Sequence, residues 1–368
     1  MSFVRKAKLP ENSIKAGKPI THDVYSKEGV LLLRKGQVIS SEEKALSLNS
    51  AGYYFTENRE STKSVDPFVI TDKAYQRLLV IFESTIAEKY ITQVTLDLAR
   101  DLQIACAESE DAALSTLMLS REGSYAIWHS IHSAIIAEIV LKAEGWAADS
   151  RLSIVSAALT MNIGMWRLQD DLQDQATPLT DSQRKTVALH PQKSVEILKL
   201  CGVEDTVWLE AVLRHHEAHD GSGYPFGLSG NDISIGAKVI AMADNYCAKV
   251  QGRTYRPALS ASIAVREIFD GRGKYFDEHL GERFVELLGL YPPGSVIRLH
   301  NGEICIVVKR SDEATSPTVL TLVSPHSDHI HIVRETSDKE YRIKTLVNPK
   351  DLQIQIDRHS VWSATVGA

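Results

Sequence analysis

A change of hydrophobic period, made twice along the chain, sets the strongest limit on the fold. From about Thr71 apolar residues recur at helical spacing, as in Leu78, Leu79, Ile81 and Phe82 and again in Val94, Leu96 and Leu98, so helices are expected as far as Leu288. Both ends read as strands instead. At the N-terminal end, residues 20–36, ITHDVYSKEGVLLLRKG, alternate up to Tyr25, turn through Ser26–Gly29 and resume from Val30 to Leu33, the pattern of a hairpin. A short helix over Ser41–Asn49 stopped by Gly52, then a strand at Tyr53–Phe55, completes a small α+β module before the polar linker ENRESTKSVDP. Beyond Tyr291-Pro292-Pro293-Gly294, strands are expected at Val296–Leu299 and Ile304–Val308 around an Asn301-Gly302 turn of type I′. A second pair is expected at Val319–Val323 and Ile330–Val333.

Composition narrows the function classes. A net charge of -6, with 43% hydrophobic and 24% charged residues, gives no general attraction to nucleic acid or anionic membrane, so an anionic ligand must be held locally. The opening MSFVRKAKLPENSIKAG has no apolar signal core and no run approaches the roughly 20 apolar residues of a membrane span, which points to the cytoplasm. Cys106, Cys201, Cys247 and Cys305 are widely separated, which suits buried thiols better than disulfides or a zinc-thiolate site.

The chemistry concentrates in the stretch HHEAHDGSGYP, His215 to Pro225. Adjacent helical residues point about 100° apart, so two imidazoles reach one ion only where a helix ends. Gly221 and Gly223 permit such an end, and Pro225 stiffens the loop that carries Asp220 and Tyr224. Imidazole is a common ligand for zinc, iron and related ions, and a two-metal site also needs a bridging carboxylate. Further candidates lie on helices. His129 precedes Ile131, Ile135, Ile136 and Ile139, and His190 follows the capping box Thr180–Gln183. Taken alone, both read as core or cap histidines. Asp244, on a helix over Ser234–Gln251, shares an apolar face with Ile240 and Ala248, where a carboxylate is costly unless paired or metal-bound.

HHEAHDGSGYP, with ALHPQKSVEIL before it and MADNYCAKVQGRTYRP after it, closely resembles the HD-GYP phosphodiesterases that hydrolyse the bacterial second messenger cyclic di-GMP. The match covers roughly residues 120–290. The resemblance implies a mainly α protein, an HD-domain helical bundle of HD-GYP type flanked by a small N-terminal α+β module and a small C-terminal β module. The division that follows is 1–65, a helical linker region 66–122, the HD-GYP-like domain 123–290, the β module 291–357 and a tail 358–368. It also implies a site of two or three iron or manganese ions. His129, His190, His215, His216 and Asp244 fall on the family's metal-ligand positions, and Arg253, Arg256 and Tyr224 on positions that meet the ligand. For the arginines a solvated helix end is the competing reading.

The departures bear on catalysis. The family's His-Asp doublet normally stands in Leu-His-Asp-Ile-Gly-Lys, 32 residues after the first histidine. Here 129 plus 32 gives Met161, in Thr160-Met161-Asn162-Ile163-Gly164-Met165. Asn162 offers one neutral oxygen where a bridging carboxylate would join two cations, and the Met161 thioether suits such hard ions poorly. Tyr125 stands in place of a glutamate used for a third metal, and Cys247 in place of an aspartate. What is left is His190, His215 and His216 for one iron or manganese ion, or a metal-free protein, with His129 and Asp244 left over.

The chain therefore reads as a degenerate member that binds cyclic di-GMP or a related nucleotide, or a protein partner through the GYP loop, such as a diguanylate cyclase-type domain, with impaired hydrolysis. The alternatives are an active phosphodiesterase with a reduced metal site and a non-catalytic scaffold. In the C-terminal module, His329 and His331 would share one face of a strand, which suits a metal site or, preferably, a solvated strand end.

Overall fold

Backbone pairing begins at the N-terminal end, where a four-stranded antiparallel sheet forms in the order β1-β4-β2-β3 from β1 (Val4–Lys8), β2 (Val24–Tyr25), β3 (Leu31–Leu33) and β4 (Tyr53–Glu57). The structure, a computed structural model, describes residues 4–9, 13–21, 23–26, 31–57, 66–83, 90–120, 122–252, 259–325, 331–348 and 356–365. Arg253, Arg256, His326, His329 and most of the turn at 26–29 lie outside them. The chain divides into two units, Val65–Gly294 with Asp312–Thr315, and Met1–Ser64 with Ser295–Ser311 and Ser316–Ala368.

The expected hairpin forms with Val24 opposite Leu33, but its first strand is shorter than the alternation suggests. Ile20 bonds through its backbone to Gly36 and Gln37 instead. Between β3 and β4 runs α1 (Glu42–Ala51), started by Ser41, whose hydroxyl accepts from the Lys44 N–H. Gly52 ends it for a steric reason, since a Cβ there would stand 2.5 Å from the Leu48 carbonyl oxygen.

In the larger unit, eleven helices are described: α2 (Pro67–Glu83), α3 (Tyr90–Glu108), α4 (Glu110–Leu119), α5 (Tyr125–Ala143), α6 (Ala148–Thr160), α7 (Trp166–Asp174), α8 (Asp181–Leu200), α9 (Thr206–Arg214), α10 (Ile235–Gln251), α11 (Ala261–Asp270) and α12 (Glu278–Leu288). The central one is α5, buried on every side from Ala126 to Leu141, as expected of a helix apolar all round. The segment 66–122 contributes Tyr75, Leu78, Leu98 and Leu102 to the same core as Ile127 and Ile131 of α5. Packing of α6 and α10 against α5 fixes the elements that carry the candidate ligands. At the start of α8 the expected capping box is present, with Thr180 and Gln183 exchanging hydrogen bonds.

A five-stranded antiparallel sheet follows, ordered β8-β7-β6-β5-β9, from β5 (Val296–Leu299), β6 (Ile304–Lys309), β7 (Thr318–Val323), β8 (Val333–Glu335) and β9 (Ile343–Leu346), with α13 (Arg358–Thr365) after it. Two expectations are corrected here. The β5–β6 turn is not type I′, because only Gly302 takes a positive φ; Asn301 instead accepts the Glu303 N–H through its side chain. His331 does not lie in a strand. It precedes β8 with φ 66°, and its N–H donates to the Thr321 carbonyl. Buried Glu303, directly before β6, and Arg334 of β8 form a two-bonded ion pair at 2.8 and 3.0 Å. Among the described residues no helix is long and apolar enough to cross a membrane.

Candidate metal centre

Three imidazoles converge where α8 meets the end of α9. His190 lies within α8, and α9 stops at Arg214, so His215 and His216 follow in a turn that frees both rings to face the same side. One ligand atom from each of His190, His215 and His216 lies within 4.8 Å of the others. The Nδ1 of His190 is 2.6 Å from the Val187 carbonyl oxygen, and that of His215 is 2.7 Å from the Val212 carbonyl oxygen. A carbonyl only accepts, so both Nδ1 atoms carry the proton and both Nε2 atoms are bare in the neutral rings. Burial lowers all three histidines, His190 to about 3, which keeps the rings neutral.

The Nε2 atoms of His190 and His215 nevertheless face each other at 3.2 Å. Two lone pairs at that distance repel, whereas two nitrogens each roughly 2.1 Å from one ion fit it without strain. Ligating histidines typically donate their second N–H to a carbonyl, as both do here. The donor set fits one imidazole-binding ion.

His129 and Asp244 form a second pair. His129 Nε2 is 2.8 Å from Asp244 Oδ1, and its ring stacks on Tyr125. Burial would raise the Asp244 carboxyl, but the His129 hydrogen bond and the surrounding imidazoles outweigh it and hold the group well below the usual carboxylate range. Gln251, which the sequence patterning did not single out, bridges His129 and His132 with one amide. Cys247 is buried, its thiol pushed up by burial.

Met161 and Asn162 are fully buried in the turn between α6 and α7. Gly164 seats that turn on α8: its N–H donates to Ser194 Oγ, and a Cβ would stand 3.0 Å from the His190 carbonyl oxygen. Among the described residues neither polar atom of the Asn162 side chain has a hydrogen-bond partner, the arrangement of a site that a polar ligand completes. A neutral amide is a weak stand-in for a carboxylate between two cations, so this position fits a second ion poorly.

The loop after the histidines is organised by Glu217, whose role the pattern His-His-Glu did not reveal. Its two oxygens accept the N–H groups of Phe226 and Leu228 at 2.8 and 2.9 Å. Gly223 is required by close approach, because a Cβ would stand 2.2 Å from the Ala218 nitrogen. Asp220 accepts twice from Ser222. Gly221 takes φ 80°, Tyr224–Pro225 is cis, and the Tyr224 ring stacks on His216 at 4.6 Å.

The sequence profile of the HD domain family matches residues 88–280, more than half of the chain. The chain belongs to the HD domain family, in its HD-GYP type. This HD-GYP protein is 29% identical over 234 residues to a cyclic di-GMP phosphodiesterase of Pseudomonas aeruginosa, covering 63% of the present chain and 56% of the relative. It is 21% identical to a cyclic di-GMP phosphodiesterase of Borreliella burgdorferi, covering 65% and 64% of the two chains. A 3′3′-cGAMP-specific phosphodiesterase of Vibrio cholerae is 27% identical over 149 residues, or 40% and 34%. The HD-GYP chain thus spans less than two thirds of the length of these relatives. In fold it is similar to an HDG"Y"P protein of Bdellovibrio bacteriovorus, with a TM-score of 0.51 at 13% identity over 76% of this chain and 98% of that one. HD domains of this kind are metal-dependent, and the three-histidine cluster is where this one holds a suitable ligand set.

Proposed function

We propose that this HD-GYP protein binds a cyclic dinucleotide of the cyclic di-GMP class at a one-ion site and hydrolyses it slowly or not at all, acting in signalling as a receptor. The observation that carries the reading is the contrast between the intact His190, His215 and His216 cluster and the buried neutral Asn162 beside Met161. A bound ion supplies positive charge to a phosphate oxygen and acidifies water. The chain itself holds the three rings neutral and correctly turned, through the Val187 and Val212 carbonyls and the stacking of Tyr224. An all-imidazole set favours iron over manganese, which prefers oxygen donors. Arg253 and Arg256 are proposed to grip the phosphates, and Phe226, 59% exposed on the GYP loop, to meet a protein partner. Four buried free cysteines suit a reducing cytoplasm.

Mass-spectrometric metal analysis, calorimetry with cyclic di-GMP and assay of product release test the reading together. It stands on about one ion per chain, measurable binding, and no more linear or mononucleotide product than a His215→Ala control. Two ions with turnover would instead establish an active phosphodiesterase, the reading favoured by the nearby His129–Asp244 pair.

A further inference from the structure

We propose that the cavity beside the histidines is a nucleobase subsite that selects guanine through Asp270. The proposal rests on the cyclic-dinucleotide reading above and names the base it recognises. The cavity measures about 490 Å³, the size of small-ligand sites and far more than an ion or one phosphate fills. His215 and His216 line one part of it, and the C-terminal end of α11 with the turn after it lines another.

Charge sorts a ligand within this space. Among the described residues Lys249 is the single ammonium or guanidinium lining it, and its Nζ is 2.5 Å from Glu267. The carboxylates of Glu217 and Asp244 are likewise engaged, by loop N–H groups and by His129. Acceptors remain for a ligand. Asp270 makes no hydrogen bond or ion pair among the described residues, and the Asn245 Oδ1 is buried without a partner. Asp270 is moreover the last residue of α11, where the helix dipole disfavours a carboxylate and no local contact compensates it. Such a wall repels a phosphate and attracts a group rich in N–H donors.

Guanine is that group among nucleobases. Its N1–H and N2–H₂ stand side by side and donate to the two oxygens of one carboxylate, whereas adenine sets the N1 lone pair beside its N6–H₂. A platform for the base is in place. Tyr275 is 49% exposed and lines the cavity, with Lys274 Nζ 4.7 Å from its ring centroid on one face, while its backbone is fixed by hydrogen bonds to His219 and Gly271.

Calorimetry with cyclic di-GMP and cyclic di-AMP on the wild-type chain and on Asp270→Asn tests this. The exposed position of Asp270 keeps the variant folded, and an asparagine offers one donor and one acceptor, matching adenine. The wild type is expected to prefer cyclic di-GMP by at least about tenfold, and the variant to lose or invert that preference with its metal content unchanged. An unchanged ratio in the variant, or equal affinities in the wild type, overturns the subsite. If neither dinucleotide binds, the functional reading above fails, and 5′-GMP against 5′-AMP decides the subsite separately. A 5′-GMP preference that Asp270→Asn abolishes sustains it, and equal affinity or no binding overturns it.

Discussion

The Nε2 atoms of His190 and His215 meet at 3.2 Å with both ring protons committed to carbonyl oxygens on the far side. The protein holds two repelling lone pairs together, and a cation between them turns that repulsion into binding. Chelation is therefore expected to lower the unfolding temperature of the helical unit. With free ion at about 100 times Kd, the loss is about 2.7 kcal/mol. Scanning calorimetry with and without chelator reads it, and His215→Ala is expected to remove the difference; a wild-type chain indifferent to chelator refutes the ion site.

Met161→His combined with Asn162→Asp is expected to raise the metal stoichiometry from about one to about two and to bring product release above background, because the pair restores an imidazole and a bridging carboxylate. Asn162→Asp alone buries an unpaired carboxylate, so it is expected to destabilise the metal-free chain by several kcal/mol. Metal analysis and urea titration separate the two effects. A double variant that still binds a single ion contradicts the reading of these positions.

Glu217→Ala deprives the Phe226 and Leu228 N–H groups of their acceptor. Hydrogen bonds to a charged group contribute about 1.5–3 kcal/mol each, so the loop is expected to open. Hydrogen exchange over residues 217–228 is the measurement, with acceleration of more than about tenfold expected and the α5 core unchanged. Equal protection in both proteins would show that the loop is held by something else.

Arg334→Met is expected to cost about 3–5 kcal/mol, since it strands the buried Glu303 carboxylate. Burial opposes ionisation of Glu303, but the hydrogen bonds and charge of Arg334 outweigh it and hold the carboxyl below its usual range. The sign follows: the stabilisation is complete above the unfolded-chain value of about 4.3 and is lost as pH falls through the lower folded value. Denaturant midpoints of the wild type should fall as the pH drops through that window, while those of Arg334→Met should fall less.

Much of this architecture is legible in the sequence because it depends on periodicity and caps. The helical run, the Thr180 capping box and the strands at Val296 and Ile304 are local signals. β1 and β9 are not, since VRKAK and IKTL carry little alternation and form against a neighbouring strand. At the site, His215 and His216 could be read because their motif is contiguous, whereas His190 is marked only by the resemblance of ALHPQKSVEIL. Glu217 and Gln251 could not, because each acts through partners that only folding supplies: loop amides for the one and two histidines a turn apart for the other.

Gly164 has no side chain to lend to chemistry, yet it decides how deep the residues before it are set against α8. The bearing and the tool it carries are thus separate parts. On the function proposed above, positions 161 and 162 exchange ligands for neutral side chains while the mount stays true, and one scaffold serves both for cutting a messenger and for sensing it.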